Sequence, residues 1–134
     1  MTAAAQGSRP IWVYVAGPYS GGDQVLNTRA AIEVALHLLD AGLVPICPHL
    51  YMLAHLVSPQ PYETWMRWDF ELLERCDALI RLPGASSDAD REVARASELG
   101  LPVIKVKALD QVGGLARYVR CAVEGRRDDA EVTP

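Results

Sequence analysis

The sequence predicts an α/β domain built on a parallel sheet, and three stretches carry the prediction. From Cys76 to Val106 the chain reads CDALIRLPGASSDADREVARASELGLPVIKV: a strand, a small polar loop, a helix and a second strand. Two strands joined by a helical crossover of about twenty residues make a βαβ unit, with parallel strands and a right-handed connection. Ile11 to Ala16, IWVYVA, is a continuous β-prone run, as expected of a central strand covered on both faces. Gly17-Pro18-Tyr19-Ser20-Gly21-Gly22 follows that run at once. A glycine-rich turn lets backbone N–H groups approach an anion, although glycines also make ordinary turns and no GxGxxG pattern is present. Ligands of open parallel sheets sit at the carboxyl ends of strands, so this loop and the loop Pro83 to Asp88 are where chemistry is expected.

Taken in order, Met1 to Arg9 is small and polar and is expected to be a disordered lead to a single domain over residues 10–124. After the first strand and its loop, a helix is expected from between Asp23 and Asn27 to Ala41, with apolar steps at Leu26, Ala30, Val34 and Leu38 and a stop at Gly42. Leu43 to Cys47 is the second strand, and Pro45 places it at the sheet edge because proline donates no ladder hydrogen bond. Pro48-His49 closes that strand at a carboxyl end, where His49 is either a ligand contact or a turn residue. Leu50 to Pro61, including His55, reads as irregular. Tyr62 to Arg75 is a helix, and Tyr51, Tyr62, Trp65 and Trp68 are packing residues by default, with one of them lining a pocket as the alternative.

Pro83-Gly84 breaks the strand Ala78 to Leu82, and Ser86, Ser87 or Asp88 caps a helix running to about Leu99. Gly100 stops it, and Pro102 precedes the strand Val103 to Val106. Leu109 to Glu124 reads as a last amphipathic helix carrying Leu115, Tyr118, Val119 and Val123, interrupted at Gly113-Gly114, and 125–134 as a flexible tail.

Composition narrows the function. The chain has 134 residues, half of them apolar, which suits one domain with a core and little else. A net charge of −4 with scattered Lys and Arg argues against a nucleic-acid polymer or a membrane surface as partner. Cys47, Cys76 and Cys121 show no metal-ligand spacing and each lies in or beside an apolar run, so they read as small core residues and reduced thiols of a cytoplasmic protein. No apolar segment is long enough to span a bilayer, and the amino terminus lacks a signal-peptide core. No metal or other cofactor is suggested.

Two carboxylates stand where helical periodicity expects apolar side chains. Arg91, Arg95 and Glu98 share one polar stripe, whereas Glu92 shares its stripe with Ala96 and Leu99, near the loop. Asp69 sits inside the stripe of Trp65, Leu72 and Cys76, while Glu63, Arg67, Glu71 and Arg75 form a solvated row. A buried acid is costly unless it is hydrogen-bonded or functional, so Asp69 either bonds a backbone group or belongs to a site.

With Gly17-Pro18, Asp69, the Leu82-Pro83-Gly84 turn, Ser86 and Glu92 in view, residues 11–106 resemble the nucleoside 2-deoxyribosyltransferase-like superfamily, and most closely its short uncharacterised bacterial and phage members. The family pattern of a small or acidic residue six positions before a glutamate, then a G-x-P-[VI] strand start, reads here Ser86 to Glu92 and Gly100-Leu101-Pro102-Val103. The resemblance implies a three-layer flavodoxin-like (Rossmann-like) domain with four or five parallel strands in the order 2-1-3-4, and a homo-oligomer of two or more copies. It also implies a nucleotide or nucleoside N-glycosidase, or a deoxyribosyltransferase, that needs no cofactor.

In that family Glu92 matches the nucleophile that attacks C1′, and Asp69 the acid that assists the leaving base. Gly17, Pro18, Tyr19, Ser20, Gly21 and Gly22 match the loop that holds the sugar phosphate, and Ser86, with Ser87 and Asp88 beside it, matches the phosphate-binding turn. A serine at position 86 favours a nucleoside 5′-monophosphate over a nucleoside. Against that, Asp88 replaces the hydrolases' glycine, Ser20 stands where the mammalian-type hydrolase has arginine, and the tail does not match the transferases' site-completing segment. The other readings are a non-catalytic nucleotide-binding module and a structural oligomerising domain.

Overall fold

The computed structural model describes residues 9–132, with side chains through residue 127. The elements are β1 (Trp12–Ala16), α1 (Gln24–Asp40), β2 (Val44–Ile46), α2 (Pro48–Tyr51), α3 (Ala54–Val57), α4 (Tyr62–Leu73), β3 (Ala78–Arg81), α5 (Ser87–Glu98), β4 (Val103–Lys105), a 3-10 turn (Leu109–Gln111) and α6 (Leu115–Val132). The four strands form one parallel sheet in the order β2-β1-β3-β4, with β2 and its Pro45 at the edge.

Alternation along the central strands sorts the side chains between two layers. Val13, Val15, Ala78 and Ile80 face α1 and α6, packing with Val34, Leu38, Val119 and Val123. Tyr14, Ala16 and Leu79 face α4 and α5, packing with Leu73, Ala89 and Ala96. The fold is the three-layer flavodoxin-like arrangement that the sequence predicts.

Because β2 lies on one side of β1 and β3 on the other, the loops leaving β1 and β3 flank the point where strand order reverses. They also touch. A Cβ built on Gly84, whose φ is +114°, would stand 2.8 Å from Pro18 Cγ, and one on Gly17 would stand 3.0 Å from Leu82 Cβ. Glycine at these two positions therefore lets the loops close on one another.

Several expectations need correction. Residues 50–61, read as irregular, contain the short helix α3 and the end of α2. The last helix does not begin at Leu109: Gly114 has φ +81°, which no α-helix continues through, so α6 starts at Leu115. It then runs on to Val132, so the stretch expected to be a loose tail is helical as far as that residue. Arg127 holds it against the body, 3.4 Å from Asp77 Oδ2. Arg9, assigned to the lead, is also tied to Asp77, by a 2.5 Å ion pair; residues 1–8 of that lead lie outside the described residues. Leu26 and Tyr118 are exposed rather than core, and so is Cys121, while Cys47 and Cys76 are buried as expected.

Candidate active site

Four elements deliver four polar side chains to the carboxyl end of the sheet. In β1, Tyr14 falls on the α4/α5 face and is wholly buried. In α5, the Ser86 hydroxyl caps the helix by accepting the Ala89 N–H at 3.1 Å, and Asp88 and Asp90 in the first turn complement the helix dipole. Ala89 and Ala96 are small enough to bring this helix close against the sheet, so Glu92 between them is carried into the seam and is only 5% exposed. In α4, Asp69 is buried with Trp65, Met66 and Leu73 on the helix face turned to the sheet. Tyr51 comes from α2.

Each carboxyl accepts a tyrosine hydroxyl: Tyr14 donates to Glu92 Oε2, and Tyr51 donates to Asp69 Oδ1. Burial, and then the charge of Asp69, push the Glu92 carboxyl up to about 8; burial pushes Asp69 up to about 6. The same burial, with the two carboxylates beside them, raises both phenols well above the usual tyrosine range. Between these values the pair holds one proton, and each value belongs to the pair more than to either residue.

A cleft opens over this pair. Its polar walls are Tyr19, His49, Tyr62, Asp69, Asp88 and Glu92, with Gly17 at the loop. Val15, Met52, Trp65 and Met66 supply apolar surface. Among the described residues no lysine or arginine lines it. His49 Nε2 lies 2.8 Å from the Pro18 carbonyl, which can only accept, so the proton is on Nε2. Burial lowers the imidazole pKa, and its Nδ1 is buried without a partner. The Asp88 carboxylate accepts the Tyr62 hydroxyl at 2.5 Å, and Arg91 donates to that same hydroxyl from 3.2 Å.

Of the sequence-predicted site residues, Gly17, Tyr19, His49, Asp69, Asp88 and Glu92 meet at this cleft. Pro18 takes part through its carbonyl. Ser20, Gly21, Gly22, Ser86 and Ser87 are not among the cleft walls. The carbonyls of Tyr19 and Gly21 are gathered by the Asn27 amide at 3.1 and 2.7 Å, and the Ser86 oxygen is engaged as the helix cap. Tyr14 is not among the expected site residues, and Tyr51 is expected there only as packing or as a pocket wall. A tyrosine in the middle of a strand covered on both faces needs a partner for its hydroxyl, and that signal was available in IWVYVA. His55 is a packing residue, its Nδ1 accepting the Trp65 indole N–H at 3.1 Å.

Fold and cleft together define an α/β domain with a paired-carboxyl site at the topological switch point. Residues 11–106 match the domain of unknown function DUF7768, and the chain belongs to that family. A search of curated proteins finds no match to the chain. Among the described residues, no helix is long and apolar enough to cross a membrane.

Proposed function

We propose that this chain is a metal-independent N-glycosidase that cleaves the base–sugar bond of a nucleoside or nucleotide. The observation that carries the reading is the Glu92–Asp69 pair: two buried carboxyls on one cleft, sharing a proton near neutral pH, with no cation among the cleft walls. The resemblance on Ser86 to Glu92 and on the β1 loop supports the same class.

Cleavage of an N-glycosidic bond passes through an oxocarbenium-like state, which an adjacent carboxylate stabilises and can trap. The carboxylate of Glu92 attacks C1′ as the C1′–N bond breaks. The bonding pair leaves with the base, which takes the proton from Asp69. Water then attacks C1′, gives its proton to Asp69 and releases Glu92. Burial of both carboxyls keeps one proton on the pair near neutral pH. Positive charge developing at C1′ favours the ionised Glu92 and moves that proton to Asp69. Tyr14 holds the Glu92 carboxyl in place through its hydroxyl. If a second base replaces water as acceptor, the same steps give transfer in place of hydrolysis.

Free-base release from a panel of nucleosides and nucleoside 5′-monophosphates, resolved by chromatography, tests the reading. Wild-type protein releases a base and Glu92→Ala loses that activity; release from neither would sink the proposal. The rival reading, a binding module without catalysis, is favoured by Asp88 and Asp90 in the first turn of α5. It predicts a ligand-induced thermal shift that survives Glu92→Ala. Exposed Leu50, Leu53, Leu56 and Val57, on and beside α2 and α3, support the proposal of a homo-oligomer, which light scattering would read.

A further inference from the structure

We infer that the cleft selects an uncharged nucleoside with a free sugar hydroxyl and rejects its 5′-phosphorylated form; this rests on the nucleoside or nucleotide reading above and names the substrate class within it. Two independent features point the same way. The first is the orphaned nitrogen of His49. With Nε2–H given to the Pro18 carbonyl at 2.8 Å, Nδ1 carries a lone pair and can only accept. It is buried, without a partner, on a residue that walls the cleft. Leaving a buried acceptor unpaired is unfavourable, and a ligand hydroxyl or amino N–H relieves it, whereas a phosphate dianion brings only acceptors.

The second feature is the state of every other polar wall. The Tyr62 hydroxyl gives its proton to Asp88, and the Tyr19 hydroxyl accepts the Gln24 amide at 2.8 Å, which leaves its own proton as a neutral donor. Asp69 and Asp88 offer carboxylate oxygens, and Glu92 is a third acid. The two arginines nearest the carboxyl end of β3 are committed elsewhere. Arg81 donates to the Leu82 and Gly84 carbonyls and pairs with Asp90 at 3.1 Å, which pins the Leu82-Pro83-Gly84 turn. Arg91 pairs with Glu63 at 3.1 Å. Neither lines the cleft. A dianion would thus enter a site of acids with no basic side chain among its walls, whereas sugar hydroxyls find acceptors on several of them. Ser86 does not offset this, since it is not among the cleft walls and the first turn that it caps carries Asp88 and Asp90.

Calorimetric titration of the full chain at pH 7.5 with matched pairs, each nucleoside beside its own 5′-monophosphate, decides the matter. The nucleoside is expected to bind at least about tenfold more tightly. His49→Gln keeps an N–H for Pro18 but offers no acceptor in place of Nδ1, and it should weaken nucleoside binding by about tenfold. Asp88→Asn, at a partly exposed position in the first turn of α5, should narrow the gap by raising affinity for the monophosphate. Equal or tighter binding of the monophosphate, or binding of neither, overturns the inference. Base release from the same pairs separates the two claims. A nucleoside bound but left intact defeats the glycosidase reading and leaves the selectivity standing. A monophosphate cleaved faster than its nucleoside defeats the selectivity and leaves the glycosidase.

Discussion

At the amino end of β3, Asp77 accepts the Trp12 backbone N–H at 2.9 Å and is paired with Arg9 at 2.5 Å and Arg127 at 3.4 Å. At the carboxyl end of the same sheet, Glu92 and Asp69 are as deeply buried but receive only tyrosine hydroxyls, with no basic side chain among the cleft walls. One end has surrounded its carboxylate with donors and positive charge, which ties the first strand and the last helix to the sheet. The other end has placed two acids together at a cost in folding energy. Among the described residues no basic side chain offsets the two acids at the carboxyl end, and that contrast supports the proposal that these groups serve a ligand.

Removing each carboxylate in turn is the direct way to break the comparison. Glu92→Ala should lower base release by about 10³-fold or more, near 4 kcal/mol of barrier, because in the proposed mechanism Glu92 is the group that meets C1′. A variant that folds and retains a tenth of the activity would mean that Glu92 is not the nucleophile. Asp77→Ala should leave the rate per folded molecule unchanged and lower stability by roughly 2–4 kcal/mol, since the Trp12 N–H and two guanidinium groups lose their acceptor. The lower part of that range is expected, because Arg9 is largely exposed and water replaces part of what it loses. Chemical denaturation of the two variants side by side reads both effects.

Glu92→Gln sharpens the contrast at constant shape. The Glu92 pKa is raised in the folded protein from 4.5 to about 8, so the folded state binds this proton more tightly than the unfolded chain does. Stability from this group is therefore fully present below pH 4.5 and is lost as pH rises towards 8. Glutamine never ionises and still accepts from Tyr14. It should match the wild type near pH 4 and be more stable by roughly 1–3 kcal/mol at pH 8.5. Equal stability at both pH values would show that burial does not oppose ionisation of Glu92.

Local signals carried the fold a long way. IWVYVA, Pro45 and the Cys76 to Val106 unit are each consistent with only a few placements, and together they fix a parallel sheet with an edge β2. Glu92 and Asp69 were legible because a carboxylate on an apolar helical stripe violates the period on which helix burial depends. Their tyrosine partners were not, because Tyr14 obeys the pattern of a buried strand and only its hydroxyl is out of place. Asp77 was invisible for a different reason: its arginine partners lie 68 and 50 positions away, at ends of the chain that composition alone reads as loose. Ser86, one of three candidate caps in the sequence, is the one whose side chain caps α5.

The smallest effect tests whether the acids act as a pair. Catalysis as proposed needs one ionised carboxyl and one proton between Asp69 and Glu92. Below about pH 6 both are protonated and no nucleophile remains; above about pH 8 both are ionised and the base leaves unassisted. The profile of kcat/KM should be a bell with limbs near those values, changing about tenfold per pH unit outside them. Asp69→Asn should remove one limb and narrow the question to Glu92 alone, whereas Asp77→Ala, at the neutralised end of the sheet, should leave both limbs where they are. A limb that moved with Asp77 would mean that the two ends are electrostatically coupled through the sheet, and the separation between a structural end and a chemical end would no longer hold.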